Sequence, residues 1–285
     1  MIIGEVTDHR SREGGAMIYP VYSRRSGGLS LGINLFPDRK ICSFNCPYCE
    51  VFPFETDIVF NPETMKTALR SAVLEAKEKS IPVKDLCFSG NGEPTMSPFF
   101  MEALSEVSLI QKELIPDSKL VLITNGTGLL NQAMFDFLKS SSLYPVDLNI
   151  WLKLDAATET WYNSMSRSEI RHEALLSRIR DFAALQLPFT VQTMLCRIQG
   201  ALPPQEEGSA WVSLVTELAL LSASDYADSS GKSRLRAVQL YGKVRLAPED
   251  PLAEAAPLCV LEERAVQLRA ALQEAGIELA VEVYE

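Results

Sequence analysis

Short apolar, β-branched runs alternate with helix-spaced segments along almost the whole chain. This alternation constrains the fold more than any single motif. Segments 30–36 (SLGINLF), 83–88, 119–124 (KLVLIT), 147–154 (DLNIWLKL), 189–195 (FTVQTML), 235–241 and 277–283 read as buried strands. Between them, 63–79, 98–112, 130–140, 168–184, 210–222 and 261–275 have helical spacing, the first with Asn61 as cap and Pro62 in its first turn. Strand, loop and helix recur about six times, which implies a parallel sheet covered by helices. Periodicity alone does not separate an open sheet from a curved partial barrel. In both, polar residues just after the strands gather at one edge, where ligands bind. Residues 1–29 read as an N-terminal extension packing on the domain, with a short strand at 17–21, and 30–285 as a single domain. Residues 199–209 read as a loop and 224–234 as a flexible stretch.

The first post-strand loop carries Cys42, Cys46 and Cys49, spaced C-x3-C-x2-C. Three soft ligands on so short a loop point at one centre. A closed zinc site needs a fourth ligand. The next cysteine is Cys87, and the two histidines, His9 and His172, stand outside ligand spacing. A cuboidal iron–sulfur cluster with one open iron suits a three-thiolate count. Zinc and purely structural cysteines are the alternatives.

Other strand ends carry further candidates. Gly90-Asn91-Gly92-Glu93 leaves the 83–88 strand, with glycines that admit close backbone approach and a carboxylate suited to a ligand ammonium group. Thr124, Asn125 and Thr127 offer polar groups to sugar hydroxyls, or form an ordinary Asn-Gly turn. Lys153 and Asp155 lie on one side of their strand end, to orient a substrate or close a buried ion pair. Tyr48 stacks on a ligand or shields the loop, and Phe44 packs over it. Gln192 lies in an apolar run and needs a partner, from a ligand or from within. Cys196 and Arg197 end the fifth strand as substrate-side candidates, whereas Cys87 and Cys259 read as core residues.

The chain has 285 residues and a formal charge of −10, which argues against a general nucleic-acid-binding surface. The acidity concentrates in 248–285, while Arg24, Arg25, Arg39 and Lys40, and separately Arg167, Arg171, Arg178 and Arg180, form local basic groups that either are solvated or meet an anionic substrate. An apolar run of the ~18 residues a membrane span requires is missing, and the N-terminus does not read as a secretion signal. Six cysteines in a chain this long suit thiolates in a reducing cytoplasm rather than a disulfide scaffold.

Cys42, Cys46, Tyr48 and Cys49 match C-x3-C-x-aromatic-C, and with them the chain resembles the radical S-adenosylmethionine superfamily. The resemblance implies a partial (β/α)6 TIM-like barrel and a [4Fe–4S] cluster on Cys42, Cys46 and Cys49. It implies S-adenosylmethionine on the open iron, cleaved reductively to a 5′-deoxyadenosyl radical that abstracts hydrogen from a substrate. This is oxidoreductase-type chemistry, fed by an external electron donor such as a flavodoxin or ferredoxin. Gly90, Asn91, Gly92 and Glu93 stand for the family's Gly-Gly-Glu motif, with Asn91 inserted. Tyr48, Asn125, Asp155 and Gln192 join them on the cofactor side.

A narrower resemblance is to wyosine-synthetase-like radical proteins. It rests on residues 19–34, 88–95, Lys153-Leu-Asp-Ala156 and Val191-Gln-Thr-Met194. Ser164-Met-Ser-Arg167 and Val244-Arg-Leu-Ala-Pro248 depart from that family's pattern where substrate would enter, so substrate identity does not carry over. No cysteines for a second cluster precede Cys42. A small-molecule or protein substrate is therefore expected. Base modification of tRNA is the alternative enzyme, and a non-catalytic metal-binding scaffold the alternative outside catalysis.

Overall fold

The computed structural model describes residues 15–140, 148–185, 187–223, 233–249 and 252–284. They form two compact units. The first draws on Met1–Cys42, Val51–Thr124 and Pro145–Asn149, and the second on Ser43–Glu50, Asn125–Tyr144 and Ile150–Glu285. Both are mixed α/β with mostly parallel strand pairing, the class expected from the alternation.

In the first unit, β1 (Ile18–Ser23) runs antiparallel to β2 (Gly28–Ile33). β2 pairs in parallel with β3 (Val83–Phe88), and β3 with β4 (Lys119–Thr124). Leu31, Ile33, Leu86, Phe88, Val121 and Leu122 are wholly buried, as the near-continuous apolar runs of parallel strands require. Helix α1 (Pro62–Glu78) follows Asn61, whose side chain accepts from the Thr64 amide at 3.0 Å. Met65, Leu69, Ala72, Val73 and Ala76 form its buried stripe. It packs against α2 (Phe100–Leu114).

In the second unit, residues Ile150–Lys153 of β5 (Leu148–Lys153) pair in parallel with β6 (Phe189–Ile198). β6 pairs with β7 (Leu235–Gly242), and β7 with β9 (Ala280–Tyr284). A short β8 (Ala253–Ala255), not foreseen from the sequence, lies antiparallel on the end of β6. The helices are α3 (Gln132–Ser140), α4 (Glu159–Ser166), α5 (His172–Ala184), α6 (Gln205–Leu221) and α7 (Leu258–Glu274).

Two helix boundaries differ from expectation. The segment 168–184 is helical only from His172, and a separate α4 precedes it. Arg167 closes α4 in the left-handed region at φ 47°, which ends the hydrogen-bonded spiral and redirects the chain. Helix α6 starts at Gln205, inside the expected loop 199–209, because Pro204 takes the N-cap position and only the prolines themselves resist helix. Most of the expected flexible stretch, 224–232, lies outside the described residues. Among the described residues, no helix is long and apolar enough to cross a membrane.

Candidate active site at the cysteine loop and the strand ends

In the first unit the glycine–glutamate turn is bonded directly to the residue before Cys42. The Ile41 amide donates to the Asn91 carbonyl at 3.1 Å, and the Glu93 amide to the Ile41 carbonyl at 2.9 Å. This approach requires glycine, since a Cβ on Gly92 would stand 1.8 Å from the Ile41 oxygen. Asn34 supports the turn from β2's end. Its Oδ1 accepts from the Asn91 and Phe36 amides, each at 3.1 Å, and its Nδ2 donates to the Ala16 carbonyl. Asn34 is buried and was not singled out from the sequence, although a lone amide inside an apolar run just before Pro37 is a legible signal.

Glu93 is buried beneath this turn. Its Oε1 accepts from the Thr95 amide at 3.1 Å, the Thr95 hydroxyl at 2.6 Å and the Thr124 hydroxyl at 2.7 Å. Three donors to one oxygen fix the carboxylate's rotamer. Cys42 is half-buried in this unit.

In the second unit, Cys46 and Cys49 are the ends of one tight turn, with the Cys49 amide donating to the Cys46 carbonyl at 3.0 Å. Both thiols are half-buried. The loop is tied on two sides. The Asn45 amide donates to the Ser166 carbonyl at 2.7 Å, and the Ser168 hydroxyl to the Ser43 carbonyl at 2.9 Å. Asn125 Nδ2 donates to Ser43 Oγ at 3.0 Å, and Asn125 Oδ1 accepts from the Thr127 amide and hydroxyl at 3.0 and 2.7 Å. Asn125 therefore anchors the loop's first residue as well as shaping its own turn.

Tyr48, Asp155, Lys153 and Tyr241 form a continuous chain. The Tyr48 hydroxyl donates to Asp155 Oδ2, and Lys153 Nζ lies 3.1 Å from the same oxygen and donates to Tyr241. Asp155 Oδ1 accepts from the Met194 amide at 2.7 Å. The ammonium sits 4.8 Å from the ring centroids of both tyrosines. Burial pulls the Lys153 ammonium down, but Asp155 and Tyr241 outweigh it and hold it above its ordinary value. Burial, then the charge of Asp155, holds the Tyr48 phenol well above its ordinary value. Both groups keep their protons at neutral pH. Tyr241 was not singled out from the sequence.

The other expected site residues divide. Gln192 is fully buried and donates from Nε2 to Gln239 Oε1 at 2.7 Å, which makes the internal hydrogen bond the observed alternative. Cys196 is fully buried on β6, its thiol pushed up to about 12 by burial and then by Asp155, so it does not present a thiol to the sheet edge. Arg197 donates to the Gly200 carbonyl at 3.2 Å. Cys87 is a core residue as expected, its thiol pushed to about 12 by burial. Cys259 is not: it is exposed, because the first turn of α7 places it opposite the buried stripe of Leu261, Ala265 and Leu268. Arg167, Arg178 and Arg180 pair with Glu249, Asp181 and Glu217, which neutralises most of that basic group.

A cleft opens beside the loop within the second unit, with about 370 Å³ of space that includes its solvent-filled mouth. Phe44 and Cys46 line it, with Lys153–Ala156, the inner faces of α4 and α5, and His172. Phe44 meets Tyr162 edge-on at 5.7 Å.

Among the described residues, no group of three or more His, Cys, Asp or Glu stands at metal-holding geometry. Cys42 and the Cys46–Cys49 pair fall in different units. Cys46 and Cys49, half-buried thiols at the ends of one turn and in no disulfide, are the donor type that suits a soft metal, and Cys42 is likewise half-buried and in no disulfide.

No family model matches the chain. Over an alignment 146 positions long that covers 48% of the chain, it is 33% identical to a UPF0026 protein of Helicobacter pylori, of which 44% is covered. The chain thus spans less than half the length of that curated relative. Among solved structures, it is similar to Streptococcus suis SuiB bound to its precursor peptide SuiA, with a TM-score of 0.63 and 13% identity over 89% of this chain and 48% of that one. It is also similar to a radical S-adenosylmethionine methyltransferase from Sphaerobacter thermophilus, with a TM-score of 0.62 and 14% identity over 93% of this chain and 68% of that one. The likeness in three dimensions shows the fold: an α/β partial barrel similar to that of the Sphaerobacter thermophilus methyltransferase.

Proposed function

We propose that this protein is a radical S-adenosylmethionine enzyme. The observation that carries the proposal is the double hydrogen bond between Ile41 and the Asn91–Glu93 turn. It couples a buried, rotamer-fixed carboxylate to the residue just before the first thiol of a three-thiol loop. A structural cysteine loop needs no such partner.

Cys42, Cys46 and Cys49 would hold a [4Fe–4S] cluster, three thiolates leaving one iron for the methionyl amine and carboxylate. When bound, the cluster supplies the electron that splits S-adenosylmethionine into methionine and a 5′-deoxyadenosyl radical, which abstracts hydrogen from the substrate. Glu93, held by Thr95 and Thr124, would accept from the methionyl ammonium. Asn125 and Thr127 would present polar groups to the ribose. Lys153, charged at neutral pH, is placed to offset negative charge gathered at Cys46. Tyr48 and Asp155 would fix the ammonium on that side. The electron would come from an external carrier of the flavodoxin or ferredoxin kind. The acidity of the chain favours a small-molecule or protein substrate over tRNA.

Anaerobic reconstitution tests the binding half of this function. The wild type should retain iron and sulfide and change its cluster spectrum on addition of S-adenosylmethionine. Cys46→Ser should lose iron, and Glu93→Gln should keep iron but bind S-adenosylmethionine about tenfold or more weakly, as expected for a lost charge-assisted hydrogen bond. A colourless protein holding one zinc, indifferent to S-adenosylmethionine, would point to a metal scaffold instead.

A further inference from the structure

Lys153 and Asp155 are a charged pair almost out of water. Their side chains are 14% and 11% exposed, with Nζ 3.1 Å from Oδ2. Withdrawing two charges from solvent is costly, and apolar residues of similar volume often hold a fold as well or better. This pair is nonetheless held by contacts from three elements of the second unit. The cysteine loop gives the Tyr48 hydroxyl to Asp155 Oδ2, β6 gives the Met194 amide to Asp155 Oδ1 at 2.7 Å, and β7 gives the Tyr241 hydroxyl as acceptor for Lys153 Nζ.

These contacts set the pair against one stretch of the cysteine loop. Tyr48 stands two residues after Cys46 and directly before Cys49. Lys153 and Asp155 line the same cleft as Cys46. Lys153 and Cys46 are coupled through their charges, a negative sulfur there adding to the hold on the ammonium's proton. The rings of Tyr48 and Tyr241, each 4.8 Å from Nζ, flank the ammonium, so its charge is weakly screened.

We propose that Lys153 and Asp155 set the reduction potential of the cluster on the cysteine loop, Lys153 raising it and Asp155 lowering it, each through its charge. This role rests on the cluster assigned under the proposed function. Reduction adds one electron, supplied by the external carrier, and the added negative charge is favoured beside a cation and opposed beside a carboxylate. Lys153 is protonated before and after, so its charge stays constant. A unit charge ~10 Å from a redox centre, at an effective dielectric of ~20, biases a one-electron equilibrium by about tenfold.

The test is a reductive titration of the anaerobically reconstituted full chain with dithionite and mediators, followed by the electron paramagnetic resonance of the reduced cluster. Lys153→Met, which keeps the stem and removes the charge, should shift the ratio of reduced to oxidised cluster about tenfold toward oxidised at a fixed potential, a midpoint lower by about 59 mV. Asp155→Asn, which keeps an oxygen for the Met194 amide, should shift it by a similar factor the other way. The double variant should return near the wild type. Tyr241→Phe, which loosens the ammonium without changing any charge, should stay there. Opposite shifts that cancel are the mark of charge, because damage to the loop would move both single variants in one direction and add in the double. Unmoved midpoints, shifts of one sign, or a double variant displaced further than either single overturn the proposal while leaving the cluster in place. If Lys153→Met holds no cluster, Asp155→Asn and the double variant, which leaves no unpaired charge, decide it. A wild type that takes up no cluster overturns the radical function and this role together. Midpoints that move as stated in a protein that never cleaves S-adenosylmethionine keep the role of the pair and remove the radical function.

Discussion

Replacing Gly92 by alanine tests the coupling between the glutamate turn and the cysteine loop. The added Cβ would start 1.8 Å from the Ile41 carbonyl oxygen and must retreat by about 1.2 Å to reach the 3.0 Å below which such contacts are essentially never seen. The obstacle is backbone and cannot rotate away. A displacement of that size breaks the 2.9 Å bond from the Glu93 amide and strains its 3.1 Å neighbour. Two backbone hydrogen bonds at ~0.5–1.5 kcal/mol each, with ~1–3 kcal/mol for overpacking, give a destabilisation of about 2–6 kcal/mol. That is a large part of the ~5–15 kcal/mol that holds a typical protein folded. The assay pairs urea unfolding with equilibrium binding of S-adenosylmethionine to the reconstituted protein. Gly242→Ala is the control, since its Cβ would meet only Leu261 at 3.9 Å. Gly92→Ala should lower the unfolding midpoint and weaken binding at least tenfold where the control does neither. Equal midpoints and equal affinities in the two variants would refute the coupling.

Three further outcomes follow from the buried groups. In the folded chain without cluster, alkylating reagents should modify exposed Cys259 first and leave Cys87 and Cys196 untouched, as mass mapping would read, because burial pushes both thiols to about 12. Glu207 accepts from the Ala157 and Thr158 amides at 2.7 and 2.8 Å at the start of α4. Glu207→Gln should therefore cost ~1.5–3 kcal/mol in chemical unfolding and loosen the Ser166 anchor of the cysteine loop, seen as faster amide exchange at Asn45. His172 is held below its ordinary value chiefly by burial, with a hydrogen bond to Ala156 and the charge of Glu159 opposing and Arg180 reinforcing. The unfolded chain then binds the extra proton first, so this group's contribution is complete above ~6.5 and is lost as pH falls through the lowered folded value. The wild type should lose more stability than His172→Phe over that window, and parallel pH profiles would contradict the assignment.

The legible parts of this chain are those written in local chemistry. β3 and β4 have the expected limits because apolar runs end sharply at Ser89 and Asn125. The start of α1 follows from Asn61 and Pro62 alone. The C-x3-C-x2-C spacing and the Gly-Asn-Gly-Glu turn singled out the candidate site because loop residues of these types have few other uses. What escaped is decided by partners far away in sequence. The left-handed Arg167 that divides α4 from α5 is not a glycine, so nothing local marks the break. Gln192 finds its amide partner on β7, and Tyr241 its ammonium on β5, only once the strands are aligned. Cys259 sits in an apolar stretch, yet its place on the turn of α7 sends it to solvent. His172 carried no signal beyond its identity. Its buried Nε2 has no hydrogen-bond partner, which only a folded chain can reveal.

The most direct measurement is product analysis after anaerobic reconstitution and reduction. With S-adenosylmethionine and a strong one-electron reductant, the wild type should hold about four irons per chain and release methionine and 5′-deoxyadenosine in equal amounts. Cys46→Ser should yield neither product. A wild type that binds no cluster, or that cleaves S-adenosylmethionine no faster than Cys46→Ser, would contradict the assignment of this chain as a radical enzyme.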